Sequence, residues 1–163
     1  YEIKKEGDSK YIAVKGDKRL PLLFNAPLSS SSLIRVDGEE EEEITAQLRG
    51  RPDVSLVNER PIIFECKYSS KANYITAGRF KIMAYTYEYD PLTAVLVYPG
   101  LKEEEYFDNE DMATRELNRL AHREGGVLNF EFNRHTLYML ILNPEDSDDK
   151  NIERIHKILG KYV

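Results

Sequence analysis

The sequence predicts an α/β domain built on a mixed β-sheet flanked by helices, and three observations carry that expectation. The N-terminal part is rich in short apolar runs separated by turn signals, which read as hairpins. A central strand–helix–strand pattern follows, and helical periodicity dominates the remainder. At 163 residues the chain is expected to be a single domain over 1–163 with a sizeable core.

The elements follow in order. The segments "KYIAVKG" and "RLPLLFNA" flank Gly16-Asp17, a turn dipeptide, and predict a hairpin. "PLSSSSLIRVDGEEEEE" is polar and poorly patterned, so residues 26–45 are expected to form a mobile acidic loop. "EITAQLRG" and "PDVSLV" are the next strand candidates, with a turn at Asn58-Glu59-Arg60-Pro61. "IIFECKY" is apolar enough to be an interior strand. A helix is expected over residues 74–89, where Phe80, Met83, Ala84 and Tyr87 recur at helical spacing and Asp90-Pro91 stops the run. "TAVLVYPG" reads as a strand closed by Pro99-Gly100. A second helix is expected over 109–124, with Met112, Leu117 and Leu120 as its apolar positions and Gly125-Gly126 after it. Two strands, "VLNFEF" and "TLYMLIL", precede a last helix from about residue 148, striped by Ile152, Ile155 and Leu159.

Composition narrows the class. No apolar run approaches the ~20 residues of a membrane span, and one cysteine, Cys66, leaves no internal disulfide, so a soluble protein of the reducing cytoplasm is expected. The chain opens at Tyr1 without an initiator Met and is expected to be a fragment of a longer protein. The net charge of −6 is unevenly spread. Setting aside the five consecutive acids at 39–43 leaves 24 acidic against 23 basic residues. Between residues 60 and 81, Arg60, Lys67, Lys71, Arg79 and Lys81 face a single acid, Glu65. Such a concentration of cations suits a phosphate.

That single acid lies in an unusual place. Strand side chains alternate faces, so Ile62, Phe64 and Cys66 share one side of "PIIFECKY" while Ile63, Glu65 and Lys67 share the other. Glu65 and Lys67 are then about 6.6 Å apart along the strand. Asp53, at the opening of the preceding strand, can supply a second carboxylate across the hairpin. Two hard oxygen ligands completed by water and phosphate suit Mg²⁺, with Mn²⁺ as an alternative. The acid-x-Lys tripeptide is weak evidence alone, because the chain holds four copies. Only the copy at Glu65 sits in an apolar strand, following the sole Pro-Asp dipeptide by one strand–turn–strand interval. The competing interpretation is an edge hairpin with a wet Glu–Lys pair.

"RPDVSLV" followed by "PIIFECKYSS" resembles the PD-(D/E)xK nuclease superfamily, with Asp53, Glu65 and Lys67 at its three signature positions. The wider pattern "LPLLFNAPL", "RPD", "FECKY", "KIMAY", "AVLVYPG" is similar to the nuclease domain of McrC-type restriction proteins over roughly residues 20–100. The resemblance implies a restriction-endonuclease-like fold and Mg²⁺-dependent cleavage of DNA. It implies metal binding by Asp53, Glu65 and the backbone carbonyl of Cys66, with Lys67 assisting the attacking water. It also implies a McrB-like AAA+ GTPase partner and, for double-strand cleavage, a homodimer. Two features depart from the pattern. Lys81-x-x-x-Tyr85 stands where many relatives carry Gln-x-x-x-Tyr, and the acid-bearing helix that often precedes the first core strand is expected upstream of Tyr1.

Other residues follow from position. Lys81 and Tyr85, four apart on a helix, can face a phosphate together, or serve as a solvated charge and a core aromatic. Lys71 and Arg79 are expected to touch the nucleic-acid backbone. His122, His135 and His156 have no metal-ligand spacing. A non-catalytic DNA- or protein-binding module, and a nuclease for RNA or branched junctions, are the alternative functions.

Overall fold

The computed structural model describes residues 1–35, 47–102 and 109–162. Among the described residues eight strands form one mixed sheet in the order β1-β2-β3-β4-β5-β6-β8-β7. The first five, β1 (Glu2–Lys5), β2 (Lys10–Lys15), β3 (Lys18–Phe24), β4 (Val54–Leu56) and β5 (Ile62–Cys66), form an antiparallel meander. From β5 the chain crosses over through α1 (Ala72–Tyr89) to β6 (Thr93–Tyr98), which runs parallel to β5. It then passes through α2 (Asn109–Arg123) to the hairpin of β7 (Val127–Phe132) and β8 (His135–Ile141), and β8 is parallel to β6. The last helix is α3 (Asp148–Leu159). The predicted mixed sheet with flanking helices is therefore present.

Turn chemistry fixes the hairpins. Gly16-Asp17 joins Lys15 to Lys18, and Gly16 takes a positive φ of 58° that costs a glycine little. At the end of α1, Asp90 adopts the left-handed region at φ 46° and Pro91 forbids another turn. Arg134 and Arg60 pair with the Asp90 carboxylate there.

Strand alternation separates two cores. Ala94, Leu96 and Tyr98 of β6 meet Ile75 and Ile82 of α1 and Ala121 of α2 on one face. Val95 of β6 meets Tyr138, Leu140 and Ile158 of α3 on the other. The sheet is thus covered on both sides, which is why β6 reads as an unbroken apolar run.

Two expectations need correction. The strand predicted over 43–50 does not reach its C-terminal half, where Gln47 and Leu48 make a helical turn; residues 43–46 lie outside the described residues. The stripe that signalled α1 also packs inward only at Met83, which lies against the core. Phe80 and Tyr87 are 51% and 70% exposed, and the helix instead buries Ile75, Thr76, Gly78, Ile82, Tyr85 and Tyr89. Apolar residues occur all round α1, so periodicity alone cannot choose its inner face. Met112 and Ile152 likewise point outward, whereas Leu117 and Leu120 pack against the core.

The segment expected to be an acidic loop divides in two. Its start is anchored, because Leu28 is buried with Ile63, Tyr85 and Tyr89, and the Leu33 N–H donates to the Glu88 carbonyl at 2.6 Å. The acidic run at 39–43 lies outside the described residues.

Candidate active site

The site is assembled where β4, β5 and α1 meet. Val54 pairs with Phe64 and Ser55 with Ile63 across the antiparallel β4–β5 ladder. Continuing that register by one residue sets Asp53 opposite Glu65. Residues directly opposite in an antiparallel pair emerge on the same face. Here that face is the one covered by α1, since Ile63 packs with Tyr85 and Tyr89. The two carboxylates predicted to converge are therefore brought to one side of the sheet.

Asp53 is held from three directions. Its Oδ2 accepts the backbone N–H of Cys66 at 2.6 Å. Its carbonyl accepts the N–H of Asn25 at 2.9 Å, and Asn25 sits at a positive φ of 46° to make that turn. Just upstream, the Gly50 N–H donates to the Glu88 carboxylate at 2.9 Å and 3.0 Å, and the Tyr89 hydroxyl donates to the Gly50 carbonyl. A Cβ on Gly50 would lie 2.6 Å from the Tyr85 ring. Glycine is required there so that the loop carrying Asp53 can lie flat on α1.

Glu65 is only 1% exposed, and an isolated buried carboxylate would be costly. It is fully partnered. Lys67 donates to Oε1 at 2.6 Å, and Lys81 reaches across from α1 to Oε1 at 3.0 Å and Oε2 at 2.9 Å. The Tyr85 hydroxyl donates to Oε2 at 3.4 Å. Burial first, then the charges of Glu65 and Asp53, push the Tyr85 phenol far above its ordinary range. Tyr85 is therefore a permanent donor, and both carboxylates act on the same hydroxyl. Lys81 also lies 5.6 Å from the Tyr85 ring centroid, in cation–π range.

Lys67 reaches Glu65 because α1 passes close behind it. Gly78 is buried in that helix, and a Cβ there would stand 2.6 Å from Leu96 Cδ1 and 3.2 Å from Lys67 Cε. Sequence reasoning passed over Gly78, Gly50, Glu88 and Tyr89. A glycine inside an otherwise regular helix was the one available signal for Gly78.

The remaining predicted residues separate. Cys66 is half-buried, and burial followed by the charges of Asp53 and Glu65 pushes its thiol up to about 11. Lys71 is exposed at the N-terminal boundary of α1, where its own N–H donates to Ser69 Oγ at 3.2 Å. Arg79 turns toward α2, donating to Thr114 Oγ1 at 2.6 Å and to the Glu110 carbonyl at 3.4 Å. Arg60 joins Asp90, Pro91 and His135 instead. Of the five cations grouped by sequence, Lys67 and Lys81 reach the buried acid.

Among the described residues no group of three or more His, Cys, Asp or Glu side chains could hold a metal ion. The donor set at hand is smaller: two carboxylates opposite each other when the β4–β5 register is extended by one residue. Carboxylate oxygens are donors of the kind Mg²⁺ takes when water completes its shell, so the donor type fits the implied ion. The cation position on Glu65 is held in this structure by the Lys67 and Lys81 ammonium groups. No described helix is long and apolar enough to cross a membrane. Set against known proteins, no family model matches the chain, and neither a curated protein nor a solved structure matches it.

Proposed function

We propose that this chain is a divalent-cation-dependent nuclease domain of restriction-endonuclease-like fold that hydrolyses phosphodiester bonds in DNA. The observation that carries the reading is the placement of Asp53 and Glu65 on one face of the sheet, by extension of the β4–β5 register, with Lys67 bonded to Glu65. The resemblance of Asp53, Glu65 and Lys67 to the PD-(D/E)xK signature supports it. Asp53, Glu65 and the Cys66 carbonyl would hold Mg²⁺ or Mn²⁺. Bound there, such an ion supplies a water of lowered pKa and neutralises charge on the scissile phosphate.

The chain's own groups account for the rest. Lys67, with its amine 2.6 Å from Glu65, orients the attacking water and stabilises the extra negative charge of the pentacoordinate phosphorus. The water oxygen bonds to phosphorus, one ester P–O bond breaks, and the water's protons pass to the departing oxygen and to solvent. Lys71, exposed beyond the end of β5, lies free to hold the phosphate backbone. On the same reading the domain is the cutting module of a McrBC-like cytoplasmic restriction system. A McrB-like AAA+ GTPase would be its partner, with a second copy of the domain for the opposite strand.

The test is nicking of supercoiled plasmid with Mg²⁺, with Mn²⁺ and with EDTA. Cleavage that needs the ion and is lost in Asp53→Asn and Lys67→Ala supports the reading. Cleavage persisting in EDTA rejects it. DNA retardation without nicking in any ion supports a non-catalytic binding module, and RNA or branched substrates would identify the remaining alternative.

A further inference from the structure

Two ammonium groups already occupy the Glu65 carboxylate. Lys67 and Lys81 both hydrogen-bond to Oε1, Lys81 also ion-pairs with Oε2, and the Tyr85 hydroxyl donates to Oε2. Lys81 straddles the carboxylate at 3.0 Å and 2.9 Å, the position a chelated cation would take. A divalent ion cannot join two ammonium groups on one buried carboxylate without strong like-charge repulsion, because low-dielectric surroundings screen little. One ammonium must leave.

The two lysines are not equally free to do so. Lys67 is 22% exposed, and its stem runs past Gly78 with α1 close behind it. Lys81 is 42% exposed, rises from a helix flank, and has solvent on the side away from Glu65. A lysine ammonium on a four-carbon stem moves its charge several ångströms by rotamer change alone.

We infer that Lys81 is a resident counter-ion of Glu65 that competes with the divalent cation and yields its place when a nucleic-acid phosphate draws it outward. The inference rests on the metal role proposed above and adds a regulation to it. The free protein holds metal weakly, and metal and DNA load together. Linkage makes this reciprocal: DNA strengthens metal binding by the factor by which metal strengthens DNA binding. An unoccupied site then stays charge-balanced, and the cleavage-competent state forms on substrate.

The experiment measures binding rather than cleavage. Mn²⁺ is titrated into the free protein by electron paramagnetic resonance, and Ca²⁺ is titrated calorimetrically with and without a saturating short DNA duplex. Lys81→Met keeps the apolar stem without the charge, and Lys81→Arg keeps the charge with a better carboxylate fork. Thermal melts confirm that both are folded. The expected result is Mn²⁺ binding to free Lys81→Met about tenfold tighter than to wild type. Lys81→Arg should bind no tighter than wild type, and the gain in Ca²⁺ affinity on adding duplex should shrink in Lys81→Met. Equal Mn²⁺ affinity in wild type and Lys81→Met overturns the counter-ion role and leaves the nuclease reading standing. No divalent binding in any variant, with or without duplex, overturns both.

Discussion

Asp53 accepts the backbone N–H of Cys66 at 2.6 Å, so its carboxylate is fastened to the strand that carries Glu65. A charged acceptor on a half-buried amide is a stronger bond than a neutral one. Asp53→Asn can rebuild that bond through its amide oxygen, whereas Asp53→Ala leaves the amide unpaired. Asp53→Ala should lose about 1–2 kcal/mol of stability in urea unfolding, and Asp53→Asn less. Both should lose metal-dependent cleavage. An Asp53→Asn protein that folds like wild type and still cuts would separate this residue from the chemistry.

Glu65 is the charge on which the local packing depends. Lys67 and Lys81 both reach it, and its removal leaves two ammonium groups beside a buried hydroxyl. Breaking a buried pair costs several kcal/mol, but these lysines are partly exposed and can turn toward water. Glu65→Ala should therefore cost about 2–3 kcal/mol. Lys81→Met should cost less, because Lys67 remains on the carboxylate. Chemical denaturation of the two variants, compared with Glu65→Gln, gives the order.

Gly78 offers a test of how Lys67 is placed. An added methyl would lie 2.6 Å from Leu96 Cδ1 and 3.2 Å from Lys67 Cε. Alanine gains about 1 kcal/mol of helix propensity over glycine. Overpacking against Leu96, at about 1–3 kcal/mol, should outweigh that gain. Gly78→Ala is thus expected to be destabilised, unlike the usual outcome in a helix, and to cleave less because Lys67 is displaced. Cleavage at the wild-type rate by Gly78→Ala would show that Lys67 is not held this way.

Where residues act through neighbours in sequence, the site was legible. The strand–turn–strand interval between Asp53 and Glu65 fixes an antiparallel register, and alternation on β5 gives the face of Glu65. The contribution of α1 was only half legible. Its existence followed from Asp90-Pro91 and helical spacing, but its inward face mixes Ile75, Ile82, Tyr85 and Tyr89 with the small and polar Thr76, Gly78 and Thr86. Such a face arises where a helix must approach a sheet and a buried charge closely. With apolar residues on both faces, hydrophobic periodicity does not single it out, and Phe80 and Tyr87 were selected instead. The separation of Arg79 from the acid was also hidden: its partner Thr114 lies on a helix 35 residues away in the chain. No local pattern encodes that contact.

Cys66 provides a prediction that depends on pH. Burial, then the charges of Asp53 and Glu65, raise its thiol from an ordinary 9.0 to about 11, against a smaller opposing effect of Lys67. The folded state therefore holds the proton more tightly than the unfolded chain. The stabilisation is fully present below pH 9.0 and is lost as pH climbs through about 11. Buried tyrosines contribute with the same sign, since burial also raises Tyr138 to about 12, so the thiol's share must be isolated. Cys66→Ser has no titrating thiol and should show a shallower loss of stability across that alkaline window than wild type. The same shift leaves about 100-fold less thiolate at pH 8 than in a free cysteine peptide. Iodoacetamide should accordingly modify the folded protein far more slowly than the peptide, and the rate should recover in urea. Rapid alkylation of the folded protein at pH 8 would mean that Cys66 is not buried beside the two carboxylates as its position requires.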